Sequence, residues 1–578
     1  MTVATIGAIV NSYYTEAIMI MVLFQIGEAI QEHAVNRSRH SIKSLLAIDV
    51  KRARLKVNNE VVEVDVESVL PGDVIRINKG EMIPLDGTLL SNRASLDTKN
   101  ITGEYVHRIV KKNEEVLAGT INMSDVIEIK VTKIYSDSMI TKILDSVENA
   151  SAYKAKSEKF ITKFSKIYTP VVVGLAITVA VVGFLISWLI YQNTPTEALE
   201  WVYRATIFLV ISCPCALVIS IPLCYFSGIG VASSDGILIK GSNYLESLSN
   251  AKEVVFDKTG TITKGEFKIN DVVIVDPAIT ENDIKKYIIY TEYYSNHPIG
   301  IALVEGYGRN NVFTEIISDF REIQSRGAQA TINNNQITIG NGILMEELGI
   351  KAPSVEGNGL VIHVAKNNKY IGYVIVGDEV KENASETVIN LRKRGIEKIA
   401  LLTGDSEKIG QNVGNIIGAD DVYCNLLPVQ KVEKLQELKG NIPYKNGRVV
   451  YVGDGLNDAP VISSADIGVA MGSNASDATI EVSDVVIMSE DIGKIDDLIL
   501  IAKKTKHKVI QNIVFSLIVK ICIMICSVIP AITVPVWIAV FADVGVSLIA
   551  IANSMWLLRL FRNRQKQTLK EIKDENEE

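Results

Sequence analysis

Apolar runs long enough to cross a bilayer constrain this chain more than any other feature. A backbone inside lipid must satisfy its own hydrogen bonds, so each run of about 20 residues folds as a helix or joins a closed barrel. By apolar length, five spans lie near residues 3–27, 168–191, 203–228, 509–530 and 534–558. The first carries Asn11, Ser12 and Glu16 but no basic leader, so it reads as a span and not as a cleavable signal. Basic residues follow the first span (Arg37, Arg39, Lys43) and the last (Arg559, Arg562, Arg564), marking the cytoplasmic side. Every large loop then falls in the cytoplasm. With 22% of residues charged, those loops must be soluble domains, and a net charge of −8 argues against a general nucleic-acid binder. Of the six cysteines only Cys424 lies outside apolar sequence, which argues against a disulfide scaffold.

The loops differ in texture. Residues 55–134 alternate apolar and polar positions, as in LKVNNEVVEVDV and VIEIKVTKI, with turns at LPGD and PLDG. That period of two predicts a small β-rich domain. Residues 233–490 instead hold short apolar runs, EVVFD, KIALLTGD and RVVYVGDG, each ending in Gly or an acid with helical stretches between. This is the pattern of a parallel α/β sheet. An insert at about 265–381 has strands and helices of its own, and the KDENEE tail reads as solvated and disordered.

Ligands of an open α/β sheet sit beyond the carboxyl ends of its strands. Asp257, Asp405, and Asp454 with Asp458 all fall at such ends. Carboxylates so gathered repel one another unless a cation lies among them, and Mg²⁺ suits a few carboxylates plus phosphate oxygens. A carboxylate in that setting can attack a phosphoryl group. Thr259 and Thr403 can donate hydroxyl hydrogen bonds to its oxygens, and Lys431 can neutralise developing charge.

DKTGTITKG (257–265), TGD (403–405) and GDGLNDAP (453–460) closely resemble the phosphorylation domain of P-type ATPases. The resemblance implies that Asp257 is the phosphorylated nucleophile, framed by Lys258, Thr259, Thr403, Gly404 and Asp405. Asp454 and Asp458 then serve the Mg²⁺ site together with Asp257 and Thr259. TGEY (102–105) resembles the actuator loop, with Glu104 aiding hydrolysis of the phosphoenzyme, although Tyr105 stands where the family usually has Ser. EYYSNHPIG (292–300) matches the heavy-metal branch's nucleotide motif, which implicates Glu292 and His297 in ATP binding. SRGAQA and IGN resemble that branch's glycine-rich adenine site and add Gly327, Gly340 and Asn341; Ser325 replaces the first glycine of the usual pair.

Within the third span, ISCPCALVIS places a proline between two thiols. Proline removes a backbone N–H and breaks the helix, which lipid tolerates only where the break lines a site. Cys213 and Cys215 can then face one point, whereas Cys224, Cys522 and Cys526 read as small hydrophobes. Cys-Pro-Cys resembles the membrane signature of heavy-metal P-type ATPases. Lys520 and Asp543 are costly inside spans unless paired or functional. Asp543 with two thiolates makes a site of charge −3, better matched by a divalent than a monovalent ion, and Lys520 can balance Asp543 once metal has left. The pair resembles the zinc/cadmium/lead branch more than the copper branch. Glu16, toward the outer end of the first span, is a release-side candidate.

The sequence thus predicts a multidomain α-helical membrane protein with a β-rich actuator, a Rossmann-like (haloacid-dehalogenase-type) α/β phosphorylation domain and an inserted α+β nucleotide-binding domain. Expected boundaries are a membrane helix at 1–35, the actuator at 36–160 and a membrane pair at 161–232. The phosphorylation domain follows at 233–264 and 382–490 around the nucleotide domain at 265–381, then a second membrane pair at 491–560 and a cytoplasmic tail at 561–578. The expected activity is ATP-driven export of Zn²⁺, Cd²⁺ or Pb²⁺ through an aspartyl-phosphate, with ATP and Mg²⁺ as cofactors, lipid and the metal ions as partners, and a bacterial plasma membrane as location. No feature identifies a cytosolic metal donor. A copper(I) pump, a soluble-type phosphatase and a truncated non-transporting fragment stay open as alternatives; the resemblance runs from about residue 6 to 562 without the family's front helices or Cys-x-x-Cys module.

Overall fold

The computed structural model describes residues 14–45, 52–57, 60–98, 108–138, 156–189, 200–212, 215–295, 298–323, 326–353, 360–441, 446–454, 458–472, 477–529 and 543–558, with a few single positions between them. It divides into two compact units, one of residues 1–251, 484–489 and 496–578, the other of residues 252–483 and 490–495.

In the first unit, alternation in the sequence becomes a six-stranded and a three-stranded sheet. Ile127–Val131 shows how: Ile127, Ile129 and Val131 turn inward while Lys130 faces out. They pack with Ile75, Ile83, Leu85 and Leu89 into one core. The hairpin of Arg52–Val57 with Glu60–Asp65 pairs in register from Arg52↔Asp65 to Val57↔Glu60.

The same unit holds the apolar helices. Among the described residues three are long and apolar enough to cross a membrane, Lys166–Leu189, Glu200–Ser234 and Lys494–Val528, with a shorter apolar helix at Asp543–Leu558. The first expected span overlaps a 32-residue helix, Tyr14–Leu45, which runs on through the basic cluster. Over its most apolar stretch the 200–234 segment is 73% buried, against 22% for the other two. It comprises the helices Glu200–Ile211 and Cys215–Ser234; residues 213 and 214 between them lie outside the described residues.

The second unit carries five neighbouring strands in the order Ile467–Met471, Arg448–Gly453, Ala251–Asp257, Lys398–Leu402 and Asp421–Tyr423. The described pairings among them are parallel. Strands buried on both faces need continuous apolar runs, which is what VVF, IALL and VVYV supply. The insert forms a six-stranded antiparallel sheet whose edge strands are Thr263–Ile274 and Ile317–Ile323. Helices Glu281–Glu292 and Pro298–Tyr307 cover it, around a core that includes Ile284, Ile288, Ile339 and Val374.

Candidate active site and membrane metal centre

The parallel sheet sets the catalytic geometry. Pairing of Asp257 with Leu402 brings Thr403 to the same edge, and Arg448–Gly453 delivers Asp454 beside them. Asp458 follows at the start of the short helix Ala459–Ser464. One oxygen from each of Asp257, Asp454 and Asp458 lies within 4.8 Å of the others. Lys431, from the helix Pro428–Gly440, donates to Asp257 Oδ1 at 2.5 Å and to Asp458 Oδ1 at 2.9 Å.

Burial pushes the Asp257 carboxyl up to about 7; repulsion from Asp458 and Asp454 adds to the shift and Lys431 opposes it. Burial and Asp458 likewise raise Asp454 to about 6. Burial disfavours the Lys431 charge, but Asp257 and Asp458 outweigh it and hold the ammonium above its usual value. One ammonium among three carboxylates leaves the cluster short of positive charge, so the donor set fits a hard divalent cation.

The loop after Asp257 is pinned closely. Gly260 has a φ of +71°, and any Cβ there would strike the Asp454 carboxylate. Lys258 pairs with Asp405, Thr263 Oγ1 donates to the Lys258 carbonyl at 3.0 Å, and Thr259 is exposed. The Thr403 hydroxyl accepts the Asp405 N–H at 3.1 Å, closing the turn in which Gly404 lies. Asp378 and Lys381 were not apparent from sequence. Asp378 accepts the Gly265 N–H at 2.9 Å and the Thr263 hydroxyl, and Lys381 Nζ donates to the Gly260 carbonyl at 3.0 Å. Only the return strand Lys369–Val380, paired with Thr263–Ile274, could have revealed them.

In the insert, Glu292, Gly327, Gly340 and Asn341 line one cavity of about 360 Å³. Ser295, inside the quoted motif but not singled out, lines it too, as does Arg326, which pairs with Glu347 at 2.7 Å. Gly327 and Gly340 face each other across the ladder, and a Cβ on Gly327 would meet the Ile339 carbonyl. Asn341 also caps the helix Gly342–Glu347, accepting the Leu344 N–H at 3.0 Å. His297, Ser325 and Glu104 lie outside the described residues.

In the membrane helices, Lys520 and Asp543 are buried and ion-paired, and Lys520 Nζ also donates to the Ile211 carbonyl at 3.3 Å. Ile211 is the last residue of its helix and lies two positions before Cys213, so the pair is bonded to backbone next to the Cys-Pro-Cys sequence. Cys213 and the side chains of Cys215 and Glu16 lie outside the described residues, as does the 561–578 tail. A further buried ion, Arg204, went unnoticed in the sequence. Its Nη1 donates to the carbonyls of Ile529 at 2.9 Å and Ile532 at 2.8 Å, and its Nη2 to Glu200 at 2.8 Å.

The parallel sheet with acids at its strand ends has the form of a haloacid-dehalogenase-like domain, and residues 252–466 match the model of the haloacid dehalogenase-like hydrolases. Residues 47–148 match the P-type ATPase actuator domain. The cadmium, zinc and cobalt-transporting ATPase of Bacillus subtilis (strain 168) is 44% identical over 560 residues, 97% of this chain and 78% of the relative. The zinc-transporting ATPase of Synechocystis sp. is also 44% identical, over 96% of this chain and 75% of the relative. A crystal structure of a zinc-transporting PIB-type ATPase in the E2·Pi state superposes with a TM-score of 0.62 at 30% identity, covering 96% of this chain and 89% of that one. The chain therefore belongs to the heavy-metal-transporting P-type ATPases, a family of ATP-hydrolysing membrane transporters.

Proposed function

We propose that this protein exports divalent heavy-metal ions, Zn²⁺, Cd²⁺ or Pb²⁺, from the cytoplasm across a bacterial plasma membrane. The observation that carries the divalent reading is the buried Lys520–Asp543 pair bonded to the Ile211 carbonyl, two residues before the Cys-Pro-Cys sequence. Cys213, Cys215 and Asp543 are the ligands. Their soft sulfur and hard oxygen donors, with three negative charges when ionised, suit a thiophilic +2 ion. Lys520 compensates Asp543 after the metal leaves, and Glu16 is a release-side carboxylate.

In the cytosolic centre the Asp257 carboxylate attacks the γ-phosphorus of ATP. The bond to the bridging oxygen breaks, ADP departs and an acyl phosphate forms on Asp257. The Lys431 ammonium, already 2.5 Å from the nucleophile, offsets charge as it builds on the phosphoryl oxygens. Thr259 and Thr403 hydroxyls bind those oxygens, while Lys258, Gly404 and Asp405 hold the loops. Asp454 and Asp458, with Asp257 and Thr259, would hold Mg²⁺, which supplies charge neutralisation at the transferred group. Glu104 orients water for hydrolysis of the acyl phosphate. Glu292, His297, Gly327, Gly340 and Asn341 bind the nucleotide in the cavity of the insert. Moving a +2 ion against 100 mV costs about 4.6 kcal/mol, so phosphorylation must be coupled to access at the membrane site.

Vesicle uptake of ⁶⁵Zn by the purified chain tests the proposal. Asp257→Asn, Cys213→Ser/Cys215→Ser and Asp543→Ala should each abolish zinc-stimulated uptake. Uptake that persists in Asp543→Ala, or that Cu⁺ drives and Zn²⁺ does not, would overturn the divalent reading.

A further inference from the structure

Lys520 lies on a polar stripe of the helix Lys494–Val528. Asn512, Ser516 and Lys520 follow one another at four-residue intervals, on one face, and all three are buried. Asn512 is fully engaged. Its Nδ2 donates to the Ala550 carbonyl at 3.1 Å and to Ser554 Oγ at 3.1 Å, and its Oδ1 accepts from Asn553 Nδ2 at 2.8 Å. Ser516 differs. It is 0% exposed, and its hydroxyl finds no hydrogen-bond partner among the described residues.

A buried hydroxyl without a partner is costly and calls for a reason. Lys520 supplies one. Its ammonium donates to Asp543 and to the Ile211 carbonyl. A divalent ion on the Asp543 carboxylate would face that ammonium at hydrogen-bond range. Like charges so close in a low-dielectric interior cannot share one acceptor. The ammonium must turn away from the carboxylate, and in the membrane the hydrogen bond it loses there is best replaced by another oxygen. Helical side chains lean toward the N-terminus and cover the preceding turn, which for Lys520 is the turn of Ser516. The flexible four-carbon stem of lysine allows the move without unwinding the helix. On the other side, the next turn presents Ile523 and Met524, which hold no side-chain oxygen. Ser547, one turn from Asp543 on its own helix, donates its hydroxyl to the Asp543 carbonyl at 2.9 Å and is thereby held at the backbone of the metal-binding residue, whereas the Ser516 hydroxyl is unengaged among the described residues.

We propose that Ser516 is the acceptor that receives the Lys520 ammonium when a divalent cation takes Asp543, which makes it a positioning residue for metal binding. The proposal rests on the reading of Asp543 as a metal ligand. Without Ser516 the ammonium keeps its hold on Asp543 and competes with the metal, so affinity falls. A hydroxyl of either size serves, so threonine replaces serine.

Equilibrium Zn²⁺ binding to the purified full chain, in competition with a chromophoric chelator, tests this. Ser516→Ala should weaken zinc binding at least fivefold, and Ser516→Thr should stay within twofold of the parent. In a Lys520→Met background, where no ammonium needs an acceptor, Ser516→Ala should change affinity less than twofold. A purely structural serine would cost the same in both backgrounds, so equal losses overturn the proposal. A neutral Ser516→Ala in the parent, with Asp543→Ala strongly weakened, overturns it while leaving the Asp543 reading intact. Unchanged zinc binding in Asp543→Ala instead removes the reading on which the proposal stands.

Discussion

Replacing Lys431 with methionine keeps the length of the side chain and deletes its charge. In the structure this ammonium makes two contacts, 2.5 Å to Asp257 and 2.9 Å to Asp458, and both carboxylates are buried. Removing one partner of a buried pair costs about 3–5 kcal/mol, because the remaining charge is stranded. At about 1.4 kcal/mol per decade, that predicts a loss of phosphoenzyme formation between about a hundredfold and several thousandfold. A bound divalent cation would neutralise part of the stranded charge and hold the effect toward the lower figure. The assay is incorporation of ³²P from γ-labelled ATP into acid-precipitated protein at saturating nucleotide and zinc, with Asp257→Asn as the blank. The pH dependence adds a second check. Without Lys431 the Asp257 carboxyl rises further above its already elevated value of about 7, so residual labelling should climb more steeply with alkaline pH than in the parent. Labelling of Lys431→Met within threefold of the parent would refute the assignment of charge neutralisation to this residue.

Other consequences follow from the same geometry. Asp257 is held near 7 against an ordinary value of 3.8, so its ionisation works against folding, with the cost absent below the ordinary value and complete above the raised one. In chelator, Asp257→Asn should therefore be more stable than the parent at about pH 8, by at most about 4 kcal/mol, with the advantage shrinking as pH falls below about 7 and gone near the ordinary value of 3.8. A melting difference that ignores pH would count against the buried-acid account. Gly327→Ala should raise the KM for ATP about tenfold, or about 1.4 kcal/mol, and lower kcat less, since its Cβ meets the Ile339 carbonyl under the cavity; steady-state kinetics decide it. Arg204→Met should reduce thermal stability by about 2–4 kcal/mol, since carbonyls of Ile529 and Ile532 lose their donor, while the ranking of stimulating metals stays parental.

Much of the soluble architecture was legible because each domain announces itself by a period. VIEIKV alternates and becomes a half-buried strand; VVF and VVYV do not alternate and become strands buried on both faces. Acids placed directly after such runs land on one edge, which is how Asp257, Asp405, Asp454 and Asp458 could be grouped from spacing; three of them gather their oxygens together, while Asp405 pairs with Lys258. Asp378 and Lys381 escaped because their partners lie more than a hundred positions earlier, and only the antiparallel register of the return strand brings them to Gly265 and Gly260. Glu292, Gly327, Gly340 and Asn341 came from resemblance to a family motif. That they line one cavity depends on the pairing of Gly327 with Gly340, which no local pattern encodes.

The membrane helices show a sharper limit. Sequence marks an ionisable residue in an apolar run as expensive, and by that rule Lys520, Asp543 and Arg204 are alike. The structure separates them by what answers each charge. The Arg204 guanidinium, a rigid fork with five donors, is met by fixed backbone carbonyls past the end of a helix and by Glu200, which is half exposed. Backbone carbonyls do not change protonation state and carry no formal charge to attract a divalent ion as a carboxylate does, so Arg204 joins two segments. The main partner of Lys520 is a carboxylate, which a divalent cation can take, and its ammonium has an open hydroxyl one turn away on the same helix. An ion whose partner can be exchanged suits a transport cycle, whereas one held by backbone suits a joint. The sequence carries the charges, but the character of their partners exists only in the folded chain.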